Sequence, residues 1–189
     1  MRSTLRFTAV QAALALACAL SVAAQAAPAA GSVGADLLAD IGDVERKFIS
    51  LAKAIPADKF DWRPGAGVRS VGEVVLHVAA DNYLIPAAIG FAPDAKTGIK
   101  GDDYKTALAF EQRKLSKDAA IAELEASFGF VKQSLQATTA ARMSEQVKLF
   151  GQPFTMQRAW ILGTTHLHEH LGQLIAYART NSVKPPWSQ

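Results

Sequence analysis

Three of the chain's four histidines fall in the run Thr164-Thr165-His166-Leu167-His168-Glu169-His170-Leu171-Gly172-Gln173, and the fourth is His77. On a helix, positions i and i+4 lie one above the other, so His166 and His170 can grip a single ion. His168 is rotated by roughly 200° from His166 and faces elsewhere. His77 sits in a separate apolar run. Two imidazoles from one helix and a third from a facing helix make a three-histidine site with room for water, which is how catalytic rather than structural zinc is held. The competing account of His77 is a core histidine satisfied by hydrogen bonds, and many H-x-x-x-H pairs arise by chance or lie on surfaces. Against it, a buried neutral imidazole needs partners for both nitrogens, and one ion satisfies a nitrogen of each ring at once.

Other residues near this set carry chemistry of their own. Asp81 follows His77 by four residues, so it can meet the outer ring nitrogen of His77 or serve as a base near the metal. An ordinary polar residue at the end of the bundle is the alternative. Glu169 lies off the seam beside His170, as a solvated residue, a supporting one or a base. Gln173 shares the face of His166 and His170 and either hydrogen-bonds near the site or packs. His166-x-x-Glu169-His170 also fits the H-x-x-E-H pattern of a metalloprotease whose Glu is the general base. Proteins of that kind take a carboxylate ligand from well downstream, and the 19 residues after His170 contain neither Asp nor Glu. The match is therefore set aside.

The elements that must position these side chains follow from apolar spacing. Leu37, Ile41, Val44, Phe48, Leu51 and Ile55 are spaced 4-3-4-3-4, which predicts one helical stripe over about 33–55, stopped by Pro56. Residues 56–65 read as an ordered loop with Phe60 and Trp62 folded onto the bundle. Ser70-Val71-Gly72-Glu73 has capping-box form and opens a second helix over 70–90 through Val74, Val78 and Tyr83, which Pro86 should kink or end. Residues 92–113 are polar and glycine-containing, a loop or short irregular helix. Ser116 caps a third long helix over 116–138, with Ile121, Leu124, Phe128, Val131 and Leu135 in its stripe. The alternation around 146–151 ending in Gly151 suggests a brief extended segment or tight turn. Thr155 opens a fourth over 155–180, with a seam through Trp160, Gly163, Leu167, His170, Leu174 and Tyr177, closed by Asn181. Four amphipathic helices without a strand-rich region predict an all-α four-helix bundle.

The N-terminus reads differently. Arg2 and Arg6 precede an apolar run from about Val10 to Ala24 and then Ala24-Gln25-Ala26, and no acidic residue appears before Asp36. This is the order of a cleavable secretory signal peptide over 1–26, and its apolar run is shorter than the ~20 residues a spanning helix needs. Lipoprotein anchoring through Cys18 is not expected, because Ala15-Leu16-Ala17 lacks the leucine wanted three residues before a lipidated cysteine. A flexible linker over 27–34 and one domain over 35–189 follow. Cleavage leaves 163 of the 189 residues, enough for one core, with 18 basic against 17 acidic residues. A nearly neutral chain has no electrostatic footprint for nucleic acid. The one cysteine leaves with the signal, so a metal must rely on His and carboxylates. No other run can span a membrane, and the expected location is periplasmic or secreted.

Taken together, Pro56-Ala57-Asp58-Lys59-Phe60-Asp61-Trp62-Arg63-Pro64, Arg69-Ser70-Val71-Gly72-Glu73-Val74-Val75-Leu76-His77-Val78-Ala79 and His166-x-x-x-His170-Leu171-Gly172-Gln173 resemble the DinB/YfiT-like metalloenzyme family over about 35–187. The resemblance implies a four-helix bundle whose divalent metal is held by a His of the second helix and the H-x-x-x-H of the fourth, matching His77, His166 and His170. Zinc or nickel suits three neutral imidazoles. The resemblance further implies either a metal-dependent hydrolase or an S-transferase using a low-molecular-weight thiol, and an export signal sits poorly with a cytoplasmic thiol. A non-catalytic metal-binding or stress-related binding protein of the same fold stays open. So do the small-molecule substrate and the oligomeric state, a homodimer included.

Overall fold

The computed structural model describes residues 28–188. The expected signal-peptide segment lies outside the described residues, as do the first residue of the expected linker and the last of the expected domain. Five helices and one hairpin follow in order: α1 (Val33–Ala54), α2 (Val71–Ala88), α3 (Tyr104–Glu111), α4 (Lys117–Gln136), strands β1 (Gln146–Leu149) and β2 (Gln152–Thr155), and α5 (Met156–Thr180). The chain is mostly helical, and α1, α2, α4 and α5 form the bundle. Each of α1 and α2 packs against both α4 and α5, so α1 and α2 lie diagonally opposite. That arrangement makes α2 and α5, the two histidine-bearing helices, direct neighbours. Among the described residues no helix is long and apolar enough to cross a membrane.

Three helix ends carry the chemistry anticipated from the sequence, at Ser70, Ser116 and Thr155, and Ser32 caps α1 as well; each accepts a backbone N–H of the first turn through the side-chain oxygen. At α2 the Glu73 carboxylate also accepts from the Ser70 N–H, completing the capping box. The stripe of α1 is buried from Leu37 to Ile55. Helix α2 departs from a simple stripe: every residue from Val74 to Pro86 is buried, because bundle helices cover one side and α3 covers another. Pro86 stays inside α2, which ends two residues later. Gly72 is held close to the preceding loop; a Cβ there would lie 3.3 Å from the Phe60 carbonyl oxygen, the acceptor of the Gly72 N–H.

Two segments are more ordered than their composition suggested. The stretch 92–113 contains the eight-residue α3, capped by the Asp103 side chain on the Lys105 N–H and anchored by Ala107 and Phe110 in the core. The stretch 143–154 contains a β-hairpin whose Gln146, Val147, Lys148 and Leu149 pair with Thr155, Phe154, Pro153 and Gln152. The bundle is thus all-α except for this hairpin.

Candidate metal centre

His77 is buried at mid-length in α2, and His166 and His170 are half-buried on the adjoining face of α5. One ligand nitrogen from each lies within 4.8 Å of the other two, a cluster that can hold a metal ion. The His77 and His170 rings meet edge to face with centroids 4.4 Å apart, and His166 and His170 do the same. His168 is exposed on another face of α5. The sequence spacing anticipated this grouping.

The outer nitrogens are held in place. His77 Nδ1 lies 2.6 Å from Glu111 Oε1 at the end of α3. The other oxygen of that carboxylate accepts from Arg69 Nε and a terminal Arg69 nitrogen at 3.2 and 3.1 Å. An ionised carboxylate only accepts, so Nδ1 of His77 carries the proton and Nε2 keeps a lone pair. His170 Nδ1 donates to Gln173 Oε1 at 2.8 Å, while Gln173 Nε2 donates to the Tyr177 hydroxyl at 2.9 Å. Tyr177 is in turn braced by Trp62, edge on at 5.4 Å. His170 therefore also turns a lone pair inward. Burial pulls the His170 imidazole down to about 4; the bond to Gln173 opposes this, and the charges of His166, His77 and Arg69 lower it further.

The inner nitrogens test whether these residues suit a metal. His77 Nε2 and His170 Nε2 lie 3.0 Å apart. With both outer nitrogens protonated, two lone pairs face each other at hydrogen-bond distance with no proton between them in the neutral rings. A shared cation removes that repulsion, so the donor set fits a metal. His166 Nε2 completes the group 2.8 Å from Asp81 Oδ2. The same oxygen is 3.4 Å from His77 Nε2. Asp81 Oδ1 is buried without any hydrogen-bond partner.

Some of these contacts differ from the sequence expectations. Asp81 does not meet the outer nitrogen of His77; it faces the inner one, because the outer nitrogen belongs to Glu111. That leaves Asp81 on the side of the inner nitrogens. Glu169 points to solvent, with its carboxylate oxygen 3.7 Å from His166 Nδ1 and the side chain 76% exposed. Gln173 supports His170 directly. The sequence reading missed Glu111 as a partner of the site and treated Arg69 only as part of a motif. The available signal was the unmet need of a buried His77 for an acceptor on its second nitrogen. The 92–113 segment offers several acids and no periodicity to choose among them.

The sequence model of the DinB superfamily matches residues 41–174, most of the chain, and the protein belongs to this superfamily. Solved structures agree at the level of the fold. A DinB-like protein from Bacillus cereus superposes with a TM-score of 0.66 at 14% identity, covering 81% of this chain and 95% of that one. The DinB-like protein YjoA of Bacillus subtilis gives 0.60 at 16% identity, covering 82% and 97%. YfiT from Bacillus subtilis, described as a probable metal-dependent hydrolase with an unusual four-helix bundle topology, gives 0.62 at 15% identity, covering 80% and 89%. No curated protein matches the sequence.

Proposed function

We propose that this protein is a metal-dependent hydrolase acting outside the cytoplasm, with zinc or nickel held by His77, His166 and His170. The observation that carries the metal is the facing pair of Nε2 lone pairs at 3.0 Å, each fixed by a proton on the far nitrogen. When bound, such an ion polarises a carbonyl or phosphoryl group and acidifies water. Glu111 and Gln173 keep the two imidazoles in the tautomer that presents Nε2. In the metal-free state His166 Nε2 donates a hydrogen bond to Asp81 Oδ2, while Glu169, 3.7 Å from Nδ1, stays in solvent. Asp81 supplies the general base: its Oδ1 is a buried acceptor lacking a donor, beside the histidine cluster. Asp81 can take the proton of a metal-acidified water or thiol alike, and hydrolysis is favoured because an export signal sits poorly with a cytoplasmic thiol. The printed description of YfiT is in keeping with this, although a likeness of 15% identity bears on fold alone. Export rests on the signal-peptide pattern of residues 1–26.

A second possibility has its own observation. Asp81 Oδ2 lies on the same side as the inner nitrogens, so Asp81 can act as a fourth ligand and close the site, as in a non-catalytic metal-binding protein. Cobalt(II) substitution separates the two. An open position gives a visible absorption spectrum that shifts on adding azide, and Asp81→Ala keeps cobalt affinity within a few-fold. If azide leaves the spectrum unchanged and Asp81→Ala loses the ion, the site is closed and the hydrolase proposal fails.

A further inference from the structure

The face of α2 that carries His77 and Asp81 continues beyond the histidine cluster. At about 100° per residue, Leu84 and Ala88 fall within roughly 40° of His77, two and three turns further along the helix. They form one wall of an open cleft of about 1000 Å³, completed by Tyr104 of α3, the loop residues Gly101 and Asp102, and Lys148 and Phe150 of the hairpin. Gly101 is what lets the loop press onto the end of α2, for a Cβ there would lie 2.3 Å from the Ala87 carbonyl carbon and oxygen. Helix α3 runs along the same path. Its first residue, Tyr104, lines the cleft, and its last, Glu111, seven residues on and on the same face, holds His77. Burial raises the Tyr104 hydroxyl; the carboxylates of Glu111 and Asp81 push it the same way, and Arg69 opposes them.

Phe150 is the unexpected residue of this cleft. Phe150 and Gly151 are the two central residues of the hairpin turn, with φ of 51° and 74°. A turn with both φ values positive favours Asn, Asp or Gly, and a phenylalanine there is strained. Phe150 is 55% exposed, so little packing within the chain offsets that strain, and Tyr104, which also lines the cleft, is 47% exposed. Strain of this kind persists where function requires the side chain. The cleft also lies in the size range of small-molecule sites.

We propose that this cleft is the substrate pocket of the metal centre and takes a small molecule with a flat apolar or aromatic body and a single anionic group. The body packs on Tyr104 and Phe150, the anion meets Lys148, and the far end points along α2 toward Asp81. Asp102 also lines the cleft and offsets the lysine, which disfavours multiply charged anions. This rests on the metal-dependent role proposed for the histidine cluster.

The test uses anilinonaphthalene sulfonate, which has an aromatic body and one sulfonate, titrated by fluorescence into the mature protein loaded with zinc. Phe150→Asn creates the Asn-Gly pair that this turn prefers, so the variant keeps its fold while losing the ring. Saturable binding weakened at least five-fold by Phe150→Asn and by Tyr104→Ala is expected, with Lys148→Met weakening it as well. Affinity for the Phe150→Asn variant within two-fold of the parent overturns the proposal. Cobalt(II) in place of zinc should also shorten the proton relaxation times of the bound probe. Unchanged relaxation would mean that the cleft does not serve the metal centre, and the proposal fails on that ground. If the protein takes up no metal at all, the hydrolase reading falls, while a loss of probe affinity in the metal-free variants still supports the cleft as a ligand site.

Discussion

Replacing Glu111 by alanine removes the acceptor of the His77 Nδ1 proton at 2.6 Å and leaves Arg69 without its carboxylate, while every metal-facing nitrogen stays in the chain. A carboxylate behind a liganding histidine fixes its tautomer and raises its basicity, and losing such a partner costs metal affinity about 10–100-fold, or about 1.4–2.8 kcal/mol. Stability falls as well. Glu111 is buried and its bond to His77 is short, but Arg69 is partly exposed and its share is reduced by solvent, so the total loss is about 2–3 kcal/mol. For a domain of this size that lowers the melting temperature by about 4–12 °C. Glu111→Gln keeps an acceptor for Nδ1 but loses the charge and turns an N–H toward Arg69, so it should fall near the ten-fold end. The assay is calorimetric titration of zinc into stripped parent, Glu111→Ala and Glu111→Gln, alongside nitrogen-15 spectra of the His77 ring. If Glu111→Ala melts lower yet binds zinc within two-fold of the parent and leaves the His77 tautomer unchanged, Glu111 only braces the fold and the account of the site is wrong.

Alanine at His77, His166 or His170 should each weaken zinc and nickel binding by at least a hundred-fold and abolish the metal-induced rise in melting temperature, whereas His168→Ala should leave both nearly intact; loss of the ion in His168→Ala with retention in His77→Ala would point to a local chelate on α5. The metal-free protein should lose stability as pH falls from about 6.5 to about 4, because over that window the unfolded chain binds a proton at His170 that the folded chain refuses. The ring is half-buried, so the loss should be about 1–2 kcal/mol after allowing for solvent screening, and His170→Asn should flatten that part of the pH–stability curve in denaturant titrations. Protein recovered from its native host should begin near Ala27, and a mass spectrum showing an intact Met1 terminus would overturn the export proposal.

How far the sequence foretold this site depends on which contacts are local in the chain. The pairing of His166 with His170 is a property of one helix, as are the caps at Ser70, Ser116 and Thr155, so spacing and residue type revealed them. Gln173 follows His170 by three residues and was legible for the same reason. His77 could be placed in a buried helix but not aimed, because α2 is apolar on nearly every side and its periodicity does not mark one face. Asp81 was seen as a partner of His77 by its i+4 spacing, yet which nitrogen it meets depends on the rival Glu111, 34 residues downstream of His77. Helix α3 itself was obscured by its length. Eight residues give about two turns, too few for a stripe to emerge, and its position rests on Phe110 and Ala107 entering the core of a bundle already formed.

Helix α3 then explains why the site is more than three histidines on two bundle helices. Arg69 immediately precedes the N-cap of α2, and Glu111 is the last residue of α3; they meet behind His77, so the turn into one helix and the end of another fix the same imidazole. Phe110, next to Glu111, packs edge to face with Tyr83 of α2 at 5.8 Å, which ties the register of α3 to that of α2. At its other end α3 presents Tyr104 to the cleft. A displacement of α3 along α2 would move Tyr104 in the cleft and Glu111 behind His77 together, since eight residues of continuous helix transmit it as one body. If the proposed ligand draws Tyr104 inward, it would also act on the hydrogen bond that orients His77, and the coupling would be equal in free energy in both directions.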